Sequence, residues 1–227
     1  MISRPRDIAV MQGAAACRPA TRGRSGYRHA GKRAKDIALT LAILPVVLPV
    51  LLLLALLVRR DGGPAFFAHV RVGRDGRLFR CYKLRSMVPD AAGVLARHLA
   101  ADAGARAEWV TTHKLRHDPR VTPLGRFLRR SSLDELPQVW NVLAGDMSLV
   151  GPRPVTEAEL ARYGDRCGSY LAVRPGVTGL WQVSGRNQTS YARRVALDTD
   201  YVARMSLPVD MAILWRTLGE VLRRTGC

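Results

Sequence analysis

The chain has 227 residues, with 36 Lys and Arg against 18 Asp and Glu for a formal net charge of +18. This length accommodates one domain of ordinary size plus a membrane segment, and the charge calls for an anionic partner: nucleic acid, acidic lipid or a phosphorylated substrate. Cys17, Cys81, Cys167 and Cys227 lack the spacing of a zinc site or a disulfide framework, so free thiols in a reducing cytosol are expected.

Residues 1–35 hold nine Lys or Arg against Asp7 alone. Their Arg, Gly, Ala and Pro content cannot build a core, and residues 1–30 are expected to be a disordered basic tail. Ile37 to Val58 follows, 22 residues without a charge, long enough to cross a bilayer core of about 30 Å. Pro45 and Pro49 each remove a backbone donor inside this run. Lys32, Arg33 and Lys35 precede it and Arg59 and Arg60 follow it, so neither end is marked as the outward one. A plain transmembrane span and a bent helix that enters and leaves one leaflet account for these facts equally well. The run starts too late and is too long for a secretory signal.

Pro64 to Lys83 reads as a β-hairpin, with Phe66, Phe67 and Val70 on one arm and Leu78, Phe79 and Tyr82 on the other. Gly73-Arg74-Asp75-Gly76 supplies the turn. Alanine-rich residues 90–112 favour helix. Around Leu124 to Leu128 an apolar face (Leu124, Phe127, Leu128) opposes Arg126, Arg129 and Arg130, the pattern of a surface or lipid-facing helix. Residues 163–190 are expected to be loops. A helix is expected near Tyr191 to Met205, and another from Pro208 to about Arg224. In the latter Leu207, Met211, Leu214, Leu218 and Leu222 recur at helical spacing, for core packing first and docking at an interface second.

The chemistry concentrates between Ser131 and Pro154, SSLDELPQVWNVLAGDMSLVGPRP. Asp134 and Glu135 are adjacent carboxylates, one able to attack phosphorus and one able to hold a divalent metal. Ser132-x-x-Glu135 also fits a capping box, in which both acids would only serve a helix N-terminus. Arg153, between Pro152 and Pro154, is held in a rigid turn where a guanidinium grips a phosphate or a structural carboxylate. Lys83 and Arg85 end the second hairpin arm, where solvated surface is the bland alternative. His113 and His117 have i,i+4 spacing without a third ligand and are taken as surface residues.

These blocks, in this order, resemble the small monotopic phosphoglycosyl transferases, the bacterial sugar transferase family. The resemblance runs from about Lys32 to the C-terminus. It rests on Lys32-Arg-x-x-Asp36 before the proline-broken run, Tyr-Lys83-x-Arg85-Ser-Met, Asp118-Pro-Arg-Val-Thr and Leu-Arg-Arg-Ser-Ser-Leu-Asp134-Glu135-Leu-Pro-Gln. It continues through Gly-Asp146-Met-Ser-Leu-Val-Gly-Pro-Arg153-Pro, Arg174-Pro-Gly-Val-Thr-Gly-Leu-Trp-Gln-Val-Ser-Gly-Arg186-Asn and Leu-Asp198. Members that start exopolysaccharides with galactose 1-phosphate look most similar.

The resemblance implies an α+β, mainly helical protein. A re-entrant membrane helix-break-helix over 31–60 would break at Pro49. A cytosolic domain over 61–227 would carry a small β-hairpin and amphipathic interface helices. It implies transfer of a hexose 1-phosphate, galactose or glucose, from a UDP-sugar to undecaprenyl phosphate at the cytoplasmic face of the bacterial inner membrane, releasing UMP. By the resemblance Asp134 is the nucleophile, Glu135 binds Mg²⁺ and Lys83 completes the catalytic group. Arg153, Arg85, Arg174, Arg186 and Asp198 bind substrate. No nucleic acid partner is expected, and a homodimer is left open. Leu48 before Pro49, the second proline Pro45, and Asp200 near Asp198 depart from the family pattern. The rival reading is a non-catalytic cationic membrane adaptor.

Overall fold

Asp75 and Gly76 take left-handed backbone conformations (φ 58° and 78°). They turn the chain tightly enough to pair β1 (Phe66–Val72) with β2 (Leu78–Leu84) in antiparallel register, Phe66 opposite Leu84 and Val72 opposite Leu78. The hairpin read from sequence is therefore present. Its faces are unequal: Phe79, Cys81 and Leu84 of β2 are buried, while Phe66, Phe67 and Val70 of β1 are exposed. The structure is a computed structural model that describes residues 26–113, 115–185 and 189–222. The tail expected over 1–30 lies outside these residues up to position 25. Tyr27–Gly31 form a π-helical turn that runs into α1 (Lys32–Arg59).

Among the described residues α1 is the one helix long and apolar enough to cross a membrane. It is helical without interruption through Pro45 and Pro49, so the break expected at Pro49 is not seen as a gap between two helices. A proline φ near −65° suits an α-helix. What each ring removes is the amide that would serve the carbonyl four residues earlier, here on Leu41 and Pro45.

After the hairpin come α2 (Ala91–Ala101) and α3 (Ala103–Thr112). The expected single helix is divided by Asp102, which accepts from the Ala105 amide and starts a new N-terminus. Helix α4 (Pro123–Ser131) opens with Thr122 as cap and Pro123 in its first turn. Gly125 of α4 lies so close to β2's continuation that a β-carbon there would fall 1.9 Å from the Ser86 carbonyl oxygen, which fixes α4 against that segment.

Next follow α5 (Gln138–Ala144), β3 (Ser148–Val150), α6 (Glu157–Ala161), α7 (Cys167–Leu171), β4 (Gly176–Thr178), α8 (Tyr191–Arg204) and α9 (Leu207–Leu222). Strands β3 and β4 pair in parallel, so the stretch 163–190 expected as loops contains a short helix and a strand. The fold is mostly helical with a small antiparallel hairpin, as the sequence implies.

The core has three parts. One joins β2, β3, α8 and α9 through Phe79, Met147, Tyr201 and Ile213. A second gathers α6, α7 and α8 around Tyr163, Tyr170 and Val195. The third packs Leu51, Leu54 and Val58 of α1 on Ala65, Leu84 and Leu128. On α9 the expected apolar face enters the core only in part: Leu214 packs against it, Leu207, Met211 and Leu218 are exposed, as is Trp215, and Asp210 and Ile213 are buried. Cys81 is a free, buried thiol. Cys167 is disulfide-bonded, against the expectation of free thiols.

Candidate active site

Ser132 ends α4 in a left-handed conformation (φ 58°) and makes no side-chain cap. The capping box expected at Ser132 and Glu135 is therefore absent. The box in this chain is at Thr156 and Glu159, at the start of α6. The left-handed residue turns the chain into a 3₁₀ turn, Leu133–Glu135, before α5. Leu133 and Leu136 pack on the core formed with Leu84 and Leu128. The two leucines pin both ends of the turn, and Asp134 and Glu135 between them face Lys83 of β2.

The Lys83 ammonium is 2.7 Å from Glu135 Oε1 and 3.5 Å from Asp134 Oδ2. Asp134 is buried, at 8 % exposure. Burial pushes its carboxyl above the ordinary range, Lys83 opposes that shift and the Glu135 charge adds to it. Arg129, whose charge also reaches Asp134, is held by donating from Nε to the Ser86 hydroxyl at 2.8 Å. Lys83 owes its position to Asn141, a residue the sequence reading passed over. Asn141 is almost fully buried in α5. It donates to the Arg80 carbonyl at 2.7 Å and accepts from the Tyr82 amide at 3.1 Å, so it locks β2 to the helix that follows the acids.

A second group gathers around Trp181. The Pro152–Pro154 turn follows β3, and Gly176 of β4 comes so near it that a β-carbon would fall 2.1 Å from the Gly151 amide. That contact fixes Arg153, whose guanidinium lies 5.6 Å from the centre of the Trp181 ring. Asp198 on α8 accepts from the Tyr163 hydroxyl at 2.7 Å. Burial pushes its carboxyl up to about 6, against the pull of Tyr163, Arg194 and Arg153. Cys81 connects the two groups. Its thiol, pushed up to about 11 by burial, feels the charges of Lys83, Glu135, Arg71 and Arg153.

Arg194 is the other residue the sequence reading missed. It is 7 % exposed, and among the described residues its Nε and one Nη have no hydrogen-bond partner, as is also true of the Trp181 indole nitrogen. Its guanidinium stands 5.0 Å from the Trp181 ring and 3.9 Å from carboxylate oxygens of Glu159 and Asp198. The four-residue spacing from Arg194 to Asp198 was the signal available.

The remaining expected site residues fall elsewhere. Arg85 spends its guanidinium on Asp61 and on the carbonyls of Pro64, Met87 and Val58, tying the end of α1 to the end of β2. Arg174 donates from Nε to the Gly145 carbonyl at the C-terminus of α5, the end away from the acids. Arg186 lies outside the described residues. Asp200 pairs with Arg204 at 2.7 Å on the exposed side of α8, so Asp198 is the acid that faces the interior.

Among the described residues no cluster of three or more His, Cys, Asp or Glu is arranged to hold a metal. Two adjacent carboxylates still suit Mg²⁺, which binds one or two carboxylates and completes its shell with substrate phosphate and water.

A family model described as bacterial sugar transferase matches residues 27–224. The UDP-galactose-lipid carrier transferase of Erwinia amylovora is 54 % identical over 195 residues, which are 86 % of this chain and 41 % of that protein. The undecaprenyl-phosphate galactose phosphotransferase of Salmonella typhimurium matches with the same identity and coverage. The chain thus spans about two fifths of the length of these curated relatives. The exopolysaccharide production protein ExoY of Sinorhizobium fredii is 46 % identical over 196 residues, 86 % of this chain and 87 % of that protein. With the match running from the π-helical turn to the end of α9, and the acid pair, the proline-flanked arginine and Asp198 all within it, the chain belongs to the bacterial sugar transferase family.

Proposed function

We propose that the protein transfers a hexose 1-phosphate from a UDP-sugar to undecaprenyl phosphate, the step that starts an exopolysaccharide. The observation that carries this reading is the Lys83–Asp134–Glu135 cluster, two carboxylates gathered on one ammonium at 2.7 and 3.5 Å. The relatives' names, one for UDP-galactose and one for undecaprenyl phosphate, support the choice of substrates.

In this mechanism an Asp134 oxygen attacks the sugar-bearing phosphorus of the UDP-sugar. The bond from that phosphorus to the bridging oxygen breaks, and UMP leaves with the electron pair. A phosphate oxygen of undecaprenyl phosphate then attacks the same phosphorus, the bond to Asp134 breaks, and the carboxylate is restored. Lys83 and Arg153 offset the charge that builds on the diphosphate. Glu135 would hold Mg²⁺, which would supply further charge neutralisation on the phosphates when bound. Burial keeps Asp134 poorly solvated, so the carboxylate loses little hydration on approaching phosphorus.

Helix α1 supports a membrane position with both of its ends on one side. Near its start Lys32 binds Asp210, Arg33 donates to the Val142 and Leu143 carbonyls, and Asp36 accepts from the Ser148 hydroxyl. Near its end Leu51, Leu54 and Val58 pack on the same domain. None of residues 41–50 between these two regions is buried. From Thr40 to Leu51 the helix advances only about 16 Å, roughly half of a bilayer's hydrocarbon thickness. A helix anchored this way dips into one leaflet more readily than it crosses both. The exposed stripe of Leu207, Met211, Trp215 and Leu218 on α9 adds an apolar face suited to the interface. The domain would then lie on the cytoplasmic face of the bacterial inner membrane.

The reading is tested by incubating purified protein with undecaprenyl phosphate and a panel of UDP-sugars while UMP is measured. UMP release that depends on one UDP-hexose and yields a lipid-linked sugar is expected; none with any UDP-sugar would refute it.

A further inference from the structure

A cavity of about 310 Å³ opens between the start of α1, α7 and the end of α8, and Arg28, Lys32, Arg33, Asp36, Arg74 and Arg174 are among the residues lining it. It is separate from the acid pair. Arg74 and Arg174 also line the adjoining hollow at the hairpin turn, beside Leu78 and Phe79. From Leu78 to Lys83 the strand covers about 16 Å.

Two of the charges that line the cavity are already spent. Lys32 is held by Asp210 and Tyr201, and Asp36 accepts from the Ser148 hydroxyl and pairs with Lys35. The four arginines remain. Arg28 donates to the Ala203 carbonyl, Arg33 to the carbonyls of Val142 and Leu143, and Arg174 to that of Gly145. Those bonds fix each guanidinium without neutralising it, because a carbonyl carries no formal charge. Among the described residues Arg74 pairs with its neighbour Asp75, at 3.3 Å.

The consequence shows at Arg174, where burial and the nearby charges of Arg74 and Arg33 disfavour the cation and outweigh Asp36 and Asp146, which favour it. Converging, anchored guanidinium groups that repel one another match the oxygens of a phosphate, which would relieve the repulsion and take charge-assisted bonds from several of them. The wall opposite is partly apolar, with Ala172, Val173, Val202 and Met205, and offers contact to the carbon part of a phosphoester.

We propose that this cavity is a second anion site that binds the phosphate group of a phosphoester, distinct from the acid-pair site. Two sources share that chemistry. The cavity lies at the polar end of α1, before the apolar run, and Met205 on its wall directly precedes the exposed stripe of α9. On the membrane reading above, this is headgroup level, where an anionic phospholipid would enter. A soluble phosphate ester is the other source.

The test titrates the full-length protein in detergent, by calorimetry, with dihexanoylphosphatidylglycerol, dihexanoylphosphatidylcholine and glycerol 3-phosphate. The same titrations are run on Arg28→Glu, Arg74→Glu and Asp134→Asn. Saturable binding at one site is expected for an anionic probe, weakened about tenfold or more by each arginine variant and unchanged by Asp134→Asn. Arg28→Glu and Arg74→Glu are expected to keep transferase turnover, since neither touches the acid pair, and this also reports that they fold. Tighter binding of phosphatidylglycerol than of glycerol 3-phosphate assigns the site to a lipid headgroup, and equal binding assigns it to a soluble phosphoester. The proposal is overturned if no anionic probe binds, if both arginine variants bind as the parent does, or if phosphatidylcholine binds as well as phosphatidylglycerol.

Discussion

Arg153 and Asp198 test the second group of the site one side chain at a time. Arg153 is held by the glycine-proline turn over Trp181, and in the proposed mechanism its planar fork grips the diphosphate. Arg153→Lys keeps the charge and loses the fork, so turnover is expected to fall about tenfold or more in a UMP-release assay. A variant as active as the parent would make Arg153 a structural residue. Asp198 carries a pH signature. Its carboxyl, pushed up to about 6 by burial, gains a proton as the pH falls through that value and loses the charge that faces Arg194 and Arg153. Turnover is therefore expected to drop on the acid side near pH 6, and Asp198→Asn should be slower and lack that limb. An acid limb at the ordinary carboxylate pH in the parent would contradict this. On stability the sign is opposite. A folded value above the unfolded one favours the native state at pH below about 4, and that contribution is lost as the pH rises through 6.

At the level of elements, the attachment of α1 to α9 depends on one buried acid. Asp210 accepts from Tyr27, Lys32, Lys35 and Tyr201. Burial pulls its carboxyl up, and Lys32, Lys35 and Tyr27 outweigh that and hold it below the ordinary range. The stability it supplies is present above the ordinary carboxylate pH and is lost on acidification. Asp210→Asn leaves Lys32 without its counter-charge and Lys35 with Asp36 alone, and is expected to cost about 3 kcal/mol, read in denaturant unfolding at neutral pH. A cost near zero would mean that α1 is held mainly by its apolar packing.

Elements with local codes were legible in the sequence: the hairpin through Asp75-Gly76, the ends of α1, helix α8, and α9 through its periodicity. What was not legible depends on contacts distant in sequence. Asn141 acts on a strand some sixty residues earlier, and Arg194 is buried by Trp181 and Tyr191. Asp210 interrupts an apolar pattern on α9, a hint that its face enters the core more fully than the leucine face, of which Leu214 alone among the described side chains packs inward. The acid pair was found for its chemistry, although its predicted cap was misread, since φ at Ser132 is set by the 3₁₀ turn and the packing of Leu133 and Leu136.

Over the whole molecule, both ends of α1 rest on one domain, so the regions before and after the apolar run are expected on the same side of the membrane. A cysteine introduced near residue 25 in a background without other cysteines should be shielded from a membrane-impermeant thiol reagent in intact cells and react after permeabilisation. Labelling from outside would require a full span. The covalent intermediate on Asp134 is the central claim, and a UDP-sugar labelled with ³²P at the β position tests it in the absence of undecaprenyl phosphate. UMP is expected in a burst stoichiometric with enzyme, with label retained on the protein and both lost in Asp134→Asn while the variant stays folded. Label that persists in Asp134→Asn, or UMP release only when both substrates are present, would contradict a nucleophilic Asp134.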